Sequence, residues 1–244
     1  MSGPARASRL SPWARVVAVC AVLVGGAAIA LLAWSLSSSE QRRVTYTVRG
    51  ALSGMALDLG DADVVVQGGG RRTSVAVEHV DRFGFGHGAG TRRVITGGVF
   101  RVRSRCPATI LHRCSVRYRV VVPDNLPLTV VTTSGSVRLR GYRGSARVTT
   151  GRGDIDIAGF CGFSLQARAE AGGDIVASTA CPPPQLVLRT TTGRVEARVP
   201  AGRYRIDAST SGDRQVRGVD ADEGAPFAIQ ALSSSGSVLV ERGS

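Results

Sequence analysis

The chain has no lysine. All 31 basic residues are arginine, and they outnumber 18 acidic residues to give a net charge of +13 over 244 residues. Asparagine and isoleucine are also scarce beside alanine, glycine, valine and arginine, the bias of a GC-rich coding sequence. The positive charge is therefore not by itself a sign of nucleic-acid binding. Aromatic residues make up only 5% of the chain, and no tryptophan follows Trp34. That argues against the interleaved aromatic platforms on which nucleic-acid bases or sugar rings stack. Histidine is limited to His79, His87 and His112, in unrelated contexts, with no HExxH, CxxC or strand-to-helix glycine motif beside them. A zinc or nucleotide site has no basis in such a pattern, and the three are expected to be isolated surface side chains. No serine sits in a GxSxG elbow, and no amphipathic helix of convincing length can be found.

What the chain does have begins with Val16 to Leu36, an uncharged run of 21 residues. At a rise of about 1.5 Å per residue it matches the roughly 30 Å hydrocarbon core of a bilayer. Arg6, Arg9 and Arg15 precede it without an acid, and Trp13 and Trp34 bracket it at interfacial positions. The positive-inside rule then predicts a cytoplasmic tail over 1–15, a transmembrane helix over 16–36, a linker over 37–44 and an extracellular domain over 45–244. A cleaved signal peptide, with Ala28-Ile29-Ala30 as the processing site, is the competing reading. Cys20 reads as a small buried apolar residue rather than a lipid attachment site.

Beyond the linker, short alternating runs of Val, Ile and Leu are punctuated by Gly, Ser, Thr and Pro, which predicts an all-β domain. A signature of small polar residues, a glycine and an alternating strand recurs at Gly135, Gly153, Gly173, Gly193, Gly212 and Gly236, at intervals of 18, 20, 20, 19 and 24 residues. A degenerate copy sits at Gly60-Asp61-Ala62-Asp63-Val64. A period near 20 fits one coil of a β-solenoid, with glycine at the turn and two or more strands per coil around a narrow aliphatic core. In the first coil Val137, Leu139, Ala146 and Val148 are expected inside, and Arg138, Arg140, Arg147 and Thr149 outside. Ile155 and Ile157 with Phe163, Leu165 and Ala167 follow, then Val195, Ala197 and Val199 with Tyr204, Ile206 and Ala208. A β-sandwich with hairpin connections suits the same turn spacing and stays open as an alternative.

Four cysteines lie outside the apolar run. Cys161 and Cys181 each stand eight residues after a repeat glycine, so stacked coils would bring them within disulfide range. Cys106 would then pair with Cys114 across the segment PATILHR. Even numbers of cysteine suit an oxidising compartment.

The run Val121-Val122-Pro123-Asp124-Asn125-Leu126-Pro127-Leu128-Thr129-Val130-Val131-Thr132-Thr133-Ser134-Gly135-Ser136-Val137, with the glycine-strand units after it and one apolar helix before it, resembles the bacterial family of adhesin-like β-strand repeat proteins. The resemblance spans about residues 45 to 242 and is strongest from Val121 to Ile157. It implies a β-helical, non-catalytic module on the cell surface, in some cases tied to envelope stress, with no catalytic residue to carry over. The glycine-rich stretch Phe83-Gly84-Phe85-Gly86-His87-Gly88-Ala89-Gly90 and the two disulfides depart from the family pattern.

The candidate ligand surface is a set of outward arginines, Arg138, Arg140, Arg147, Arg168, Arg194, Arg198, Arg203 and Arg205. With Arg6, Arg9 and Arg15 set aside, 28 arginines face 18 acids after the apolar run, a net of +10. Such faces would hold anionic envelope polymers or lipid headgroups. Arg152-Gly153-Asp154 spells an integrin-recognition tripeptide but is embedded in a repeat turn. Asp154, Asp156 and Asp174 lack the full calcium-binding nonapeptide pattern. The expectation is a membrane-anchored surface protein at the bacterial cell membrane, with partners among envelope polymers or membrane proteins, and with no nucleic acid, cofactor, metal or catalytic residue. A carbohydrate-active enzyme on a β-helical scaffold is the alternative function.

Overall fold

The structure is a computed structural model, and it describes residues 12–37, 40–83, 88–107 and 114–243. Arg6 and Arg9, His87, His112 and most of the PATILHR segment lie outside these residues. The apolar run forms α1 (Pro12–Ser37), whose side chains are exposed from Val16 to Trp34 save for half-buried Gly25. That stretch has a mean hydropathy of 2.7, long and apolar enough to cross a membrane. The linker expected over 37–44 is shorter, because β1 (Glu40–Arg49) begins three residues after α1 ends.

Among the described residues, everything after α1 is strand and turn. The first part mixes strand directions. β1 pairs antiparallel with β3 (Ser74–Phe83), which pairs antiparallel with β6 (Cys114–Val122), while β4 (Gly90–Thr96) and β5 (Val99–Arg105) form a hairpin through Gly97 and Gly98 at positive φ. The 15-residue β2 (Gly54–Gly68) serves two stacks of strands. Residues 54–59 pair in parallel with β5 on one side and with β7 (Leu128–Ser134) on the other. Residues 62–68 pair in parallel with β6 and with β8 (Val137–Arg140).

From β7 onward all strand pairs are parallel, which is not the pairing of a hairpin-connected sandwich. The first stack continues from β7 through β9 (Ala146–Arg152), β11 (Ser164–Ala169) and β13 (Gln185–Thr190). The second continues from β8 through β10 (Ile155–Phe160), β12 (Ile175–Thr179) and β14 (Val195–Val199). The chain alternates between stacks, so each strand lies beside the strand one repeat away. Order then departs from sequence. β18 (Phe227–Ser233) and β19 (Val238–Arg242) pair directly with β13 and β14, and they separate these from β15 (Arg203–Ser209) and β16 (Arg214–Arg217). A two-residue β17 (Asp220–Ala221) edges β15.

Alternation puts one face of most strands into a single core, which includes Val137, Leu139, Val148, Ile155, Ile157, Leu165, Val195, Val199 and Tyr204, while β4, β16 and β17 have no buried residue. Ile206 is only half-buried, and Phe163 is 71% exposed rather than inside. Phe163 belongs to the turn before β11, where the strand phase has lapsed. Phe160 fills the corner instead, and a Cβ on Gly162 would lie 2.6 Å from its ring. Both disulfides form, Cys106–Cys114 with Cα atoms 5.7 Å apart and Cys161–Cys181 at 5.0 Å.

Candidate anion-binding faces

The repeat turns decide where the outward side chains go. A Cβ built on Gly153 would lie 2.3 Å from the carbonyl oxygen of Gly135, and the same contact recurs at 2.1 Å from Gly173 to Gly153 and at 1.9 Å from Gly193 to Gly173. The series continues with Gly236 on Gly193 and Gly212 on Gly236, again out of sequence order. At its other end Gly135 rests on Ala62, so the degenerate copy in β2 contributes Ala62 rather than Gly60 to this spine. The small polar residues before each glycine have a matching role. Thr150, Thr190 and Ser233 are buried, and their hydroxyls donate to the carbonyls of Gly135, Gly173 and Gly193 at 3.3, 2.9 and 2.7 Å. Asp154 and Asp174 link the same turns from outside, accepting the backbone N–H of Asp174 (2.9 Å) and of Arg194 (2.8 Å). Arg152-Gly153-Asp154 is thus part of the spine, with φ +145° at Gly153.

The eight predicted arginines divide between two outer faces. Arg138, Arg140 and Arg198 lie on the second stack, with Arg194 at its turn. Arg147, Arg168, Arg203 and Arg205 lie on the first. Most are met by acids or amides. Arg140 pairs with Asp156 (2.5 Å), Arg194 with Asp174 (3.3 Å) and Arg203 with Asp222 (3.1 Å), while Arg168 lies 3.8 Å from Glu170. Arg198 contacts both Glu196 and Glu241. The hydrogen bond that Arg198 donates to Glu241, with the charge of Glu196, raises its pKa further. Arg138 and Arg205 have no ion pair among the described residues.

The first stack forms a concave face that brings predicted arginines together. A groove of about 450 Å3 crosses β9, β11, β13 and β18 and is lined by Arg147, Arg168 and Arg189 with Gln166, Gln185 and Gln230. Parallel register places Arg168 beside Arg189. Arg147 donates to Gln166 at 3.0 Å, and Gln230 donates to Asp207 at 2.9 Å. A second hollow of about 420 Å3 shares Arg168 and Arg189 and adds Thr191, Ser209 and Ser211. Arg189 was not among the predicted residues, yet it stands 21 residues after Arg168, and the repeat period carried to that position would have found it.

His79 is buried, 3% exposed, and not a surface side chain. It lies on the inward face of β3 opposite Tyr118 of β6, with the rings stacked at 5.2 Å. Its Nε2 is 3.9 Å from the buried Asp81 carboxylate, and Tyr46 packs edge-on against it with Arg93 over the tyrosine ring at 4.2 Å. Burial lowers the His79 pKa, helped by Arg93 and Arg42, and burial raises that of Asp81. Tyr46 is pushed up to about 12, chiefly by burial. Among the described residues no three His, Cys, Asp or Glu side chains cluster as a metal site would require.

The chain matches no known family model and no curated protein. Among solved structures it is similar to a candidate cell adhesion protein from Clostridium sporogenes, at 7% identity over 84% of this chain and 100% of that one, with a TM-score of 0.40. A candidate adhesin from Bacteroides fragilis is similar at 9% identity over 83% and 97%, TM-score 0.39. One from Parabacteroides merdae gives 8% over 84% and 97%, TM-score 0.36. Likeness at this level carries no argument about what the chain binds.

Proposed function

We propose that the chain is a single-pass membrane protein whose extracellular strands form a β-solenoid, and that this solenoid is a non-catalytic, adhesin-like module for anionic envelope polymers or a partner protein. The groove over β9, β11, β13 and β18 carries the reading. Its three arginines and three glutamines sit on adjacent parallel strands about 4.8 Å apart, so a linear polyanion can meet successive guanidinium groups. Two disulfides and an apolar helix support placement outside the membrane. On the second stack Asp156, Asp174 and Glu241 are engaged by arginines, which suits binding better than a pair of free carboxylates across a sugar ring.

The test is retention of the detergent-solubilised full-length chain on isolated cell envelopes across a salt series. Saturable binding that weakens with salt is expected, and Arg147→Gln with Arg168→Gln and Arg189→Gln should remove most of it. Unchanged binding by that triple variant would assign the envelope contact to another surface.

A further inference from the structure

The excess positive charge is not spread along the molecule. Residues 40–122 hold 14 arginines and 6 acids, a net of +8, whereas residues 123–244 hold 14 and 12, a net of +2. At the border of that basic first part, the turns after β1 and β2 and the turn between β6 and β7 enclose a cleft of about 800 Å3. Arg49, Arg71 and Arg72 line it, all exposed, together with Leu52, Pro123 and Leu126. None of these three arginines has a carboxylate partner among the described residues. The one acid in the wall, Asp124, already has partners: one oxygen accepts the N–H of Gly70, also in the wall, at 3.2 Å, and the other lies 3.9 Å from Arg143.

A concavity of this size falls in the range of small-ligand sites, and unopposed guanidinium groups select an anion that can take several N–H donors at once. We propose that this cleft binds a phosphate ester, with its phosphate held among Arg49, Arg71 and Arg72 and its carbon substituent against Leu52, Pro123 and Leu126. A phosphomonoester carries up to two charges and three strong acceptor oxygens, which suits three arginines better than a single carboxylate does. The site is separate from the groove of the proposed function, since none of the eight predicted arginines lines it.

The test titrates the full-length chain in neutral detergent with glycerol 1-phosphate, dihexanoyl phosphatidic acid and dihexanoyl phosphatidylcholine, followed by phosphorus NMR line width and calorimetry. Both phosphate monoesters are expected to bind, and the zwitterionic lipid at least tenfold more weakly. Tighter binding of the acylated ester assigns the natural ligand to a lipid. Equal binding assigns it to soluble or polymer-borne phosphate. Arg71→Gln with Arg72→Gln should weaken both monoesters tenfold or more without moving the thermal midpoint, while Arg217→Gln with Arg242→Gln leaves them unchanged. Wild-type affinity in the first variant, an equal loss in the second, or equal binding of the zwitterionic lipid overturns the proposal. Because the groove variant Arg147→Gln, Arg168→Gln, Arg189→Gln leaves this cleft intact, failure here is distinguishable from failure of the envelope-binding reading.

Discussion

Single side chains in this molecule are decided by two kinds of crowding. At the glycine spine the crowding is backbone on backbone, where nothing can give. Gly153→Ala combines a 2.3 Å approach to the Gly135 carbonyl with a φ of +145°, and it should lower stability by roughly 2 to 3 kcal/mol in urea unfolding. Gly141→Ala, at φ +57° with nothing within 4 Å, should cost about 1 kcal/mol. Equal losses would mean that conformation alone, not contact between repeats, requires glycine at the spine. At His79 the crowding is dielectric. Its pKa is lowered from 6.5, so the unfolded chain takes up a proton before the native one does, and this contribution to stability falls as pH drops through 6.5. Asp81 works in the opposite direction, because its raised pKa makes the native carboxyl the better proton acceptor as pH falls toward 3.8. His79→Phe removes the first effect and also the imidazole charge that holds the Asp81 pKa down, so both changes act in the same direction. The stability of that variant relative to wild type is therefore expected to improve from pH 7 to pH 5, measured by urea unfolding at each pH. A constant difference would sink the assignment.

Among the elements, alternation was readable strand by strand because a period of two is imposed locally by the pleat. Val137, Leu139, Ile155, Ile157, Val195 and Ala197 lie inside as their spacing requires. Pairing partners were readable only where repeats follow one another at a constant offset, as from β8 to β14. At the C-terminal end β18 and β19 insert ahead of β15 and β16, which no local pattern records, since the parallel ladder reads the same whichever copy lies beside it. This order predicts an unusual response to truncation. Removing residues 225–244 takes away the strands that join β15 and β16 to the rest, so protease cleavage within 203–217 should become fast while β7 to β14 stay protected. Sequence-ordered stacking would instead leave 203–217 protected.

For the whole molecule, the two disulfides and the apolar helix bear on the same question of compartment. Cys106, Cys114, Cys161 and Cys181 are bonded, and Cys20 in α1 is free. If the strands lie outside the membrane, maleimide labelling of the denatured full-length chain taken from cells should count one thiol. With residues 16–36 deleted, a chain retained in the reducing cytoplasm should count four. Four or more reactive thiols in the full-length chain would place the strands on the inner side.

The amino-acid sequence by itself determined the apolar helix, the all-strand character of the rest, the 20-residue period, most of the inward residues of the repeats and both cysteine pairs. All of these depend on short-range periodicity or on a constant offset along the chain. Only the tertiary structure decided that β2 serves both stacks, that the last repeat enters out of order, that Phe163 yields its corner to Phe160 and that His79 is buried. It also decided which arginines meet acids and which face open clefts. These depend on which surfaces approach one another across large separations in the chain, where burial and charge pairing are set by the neighbour that arrives and not by the residues next in line.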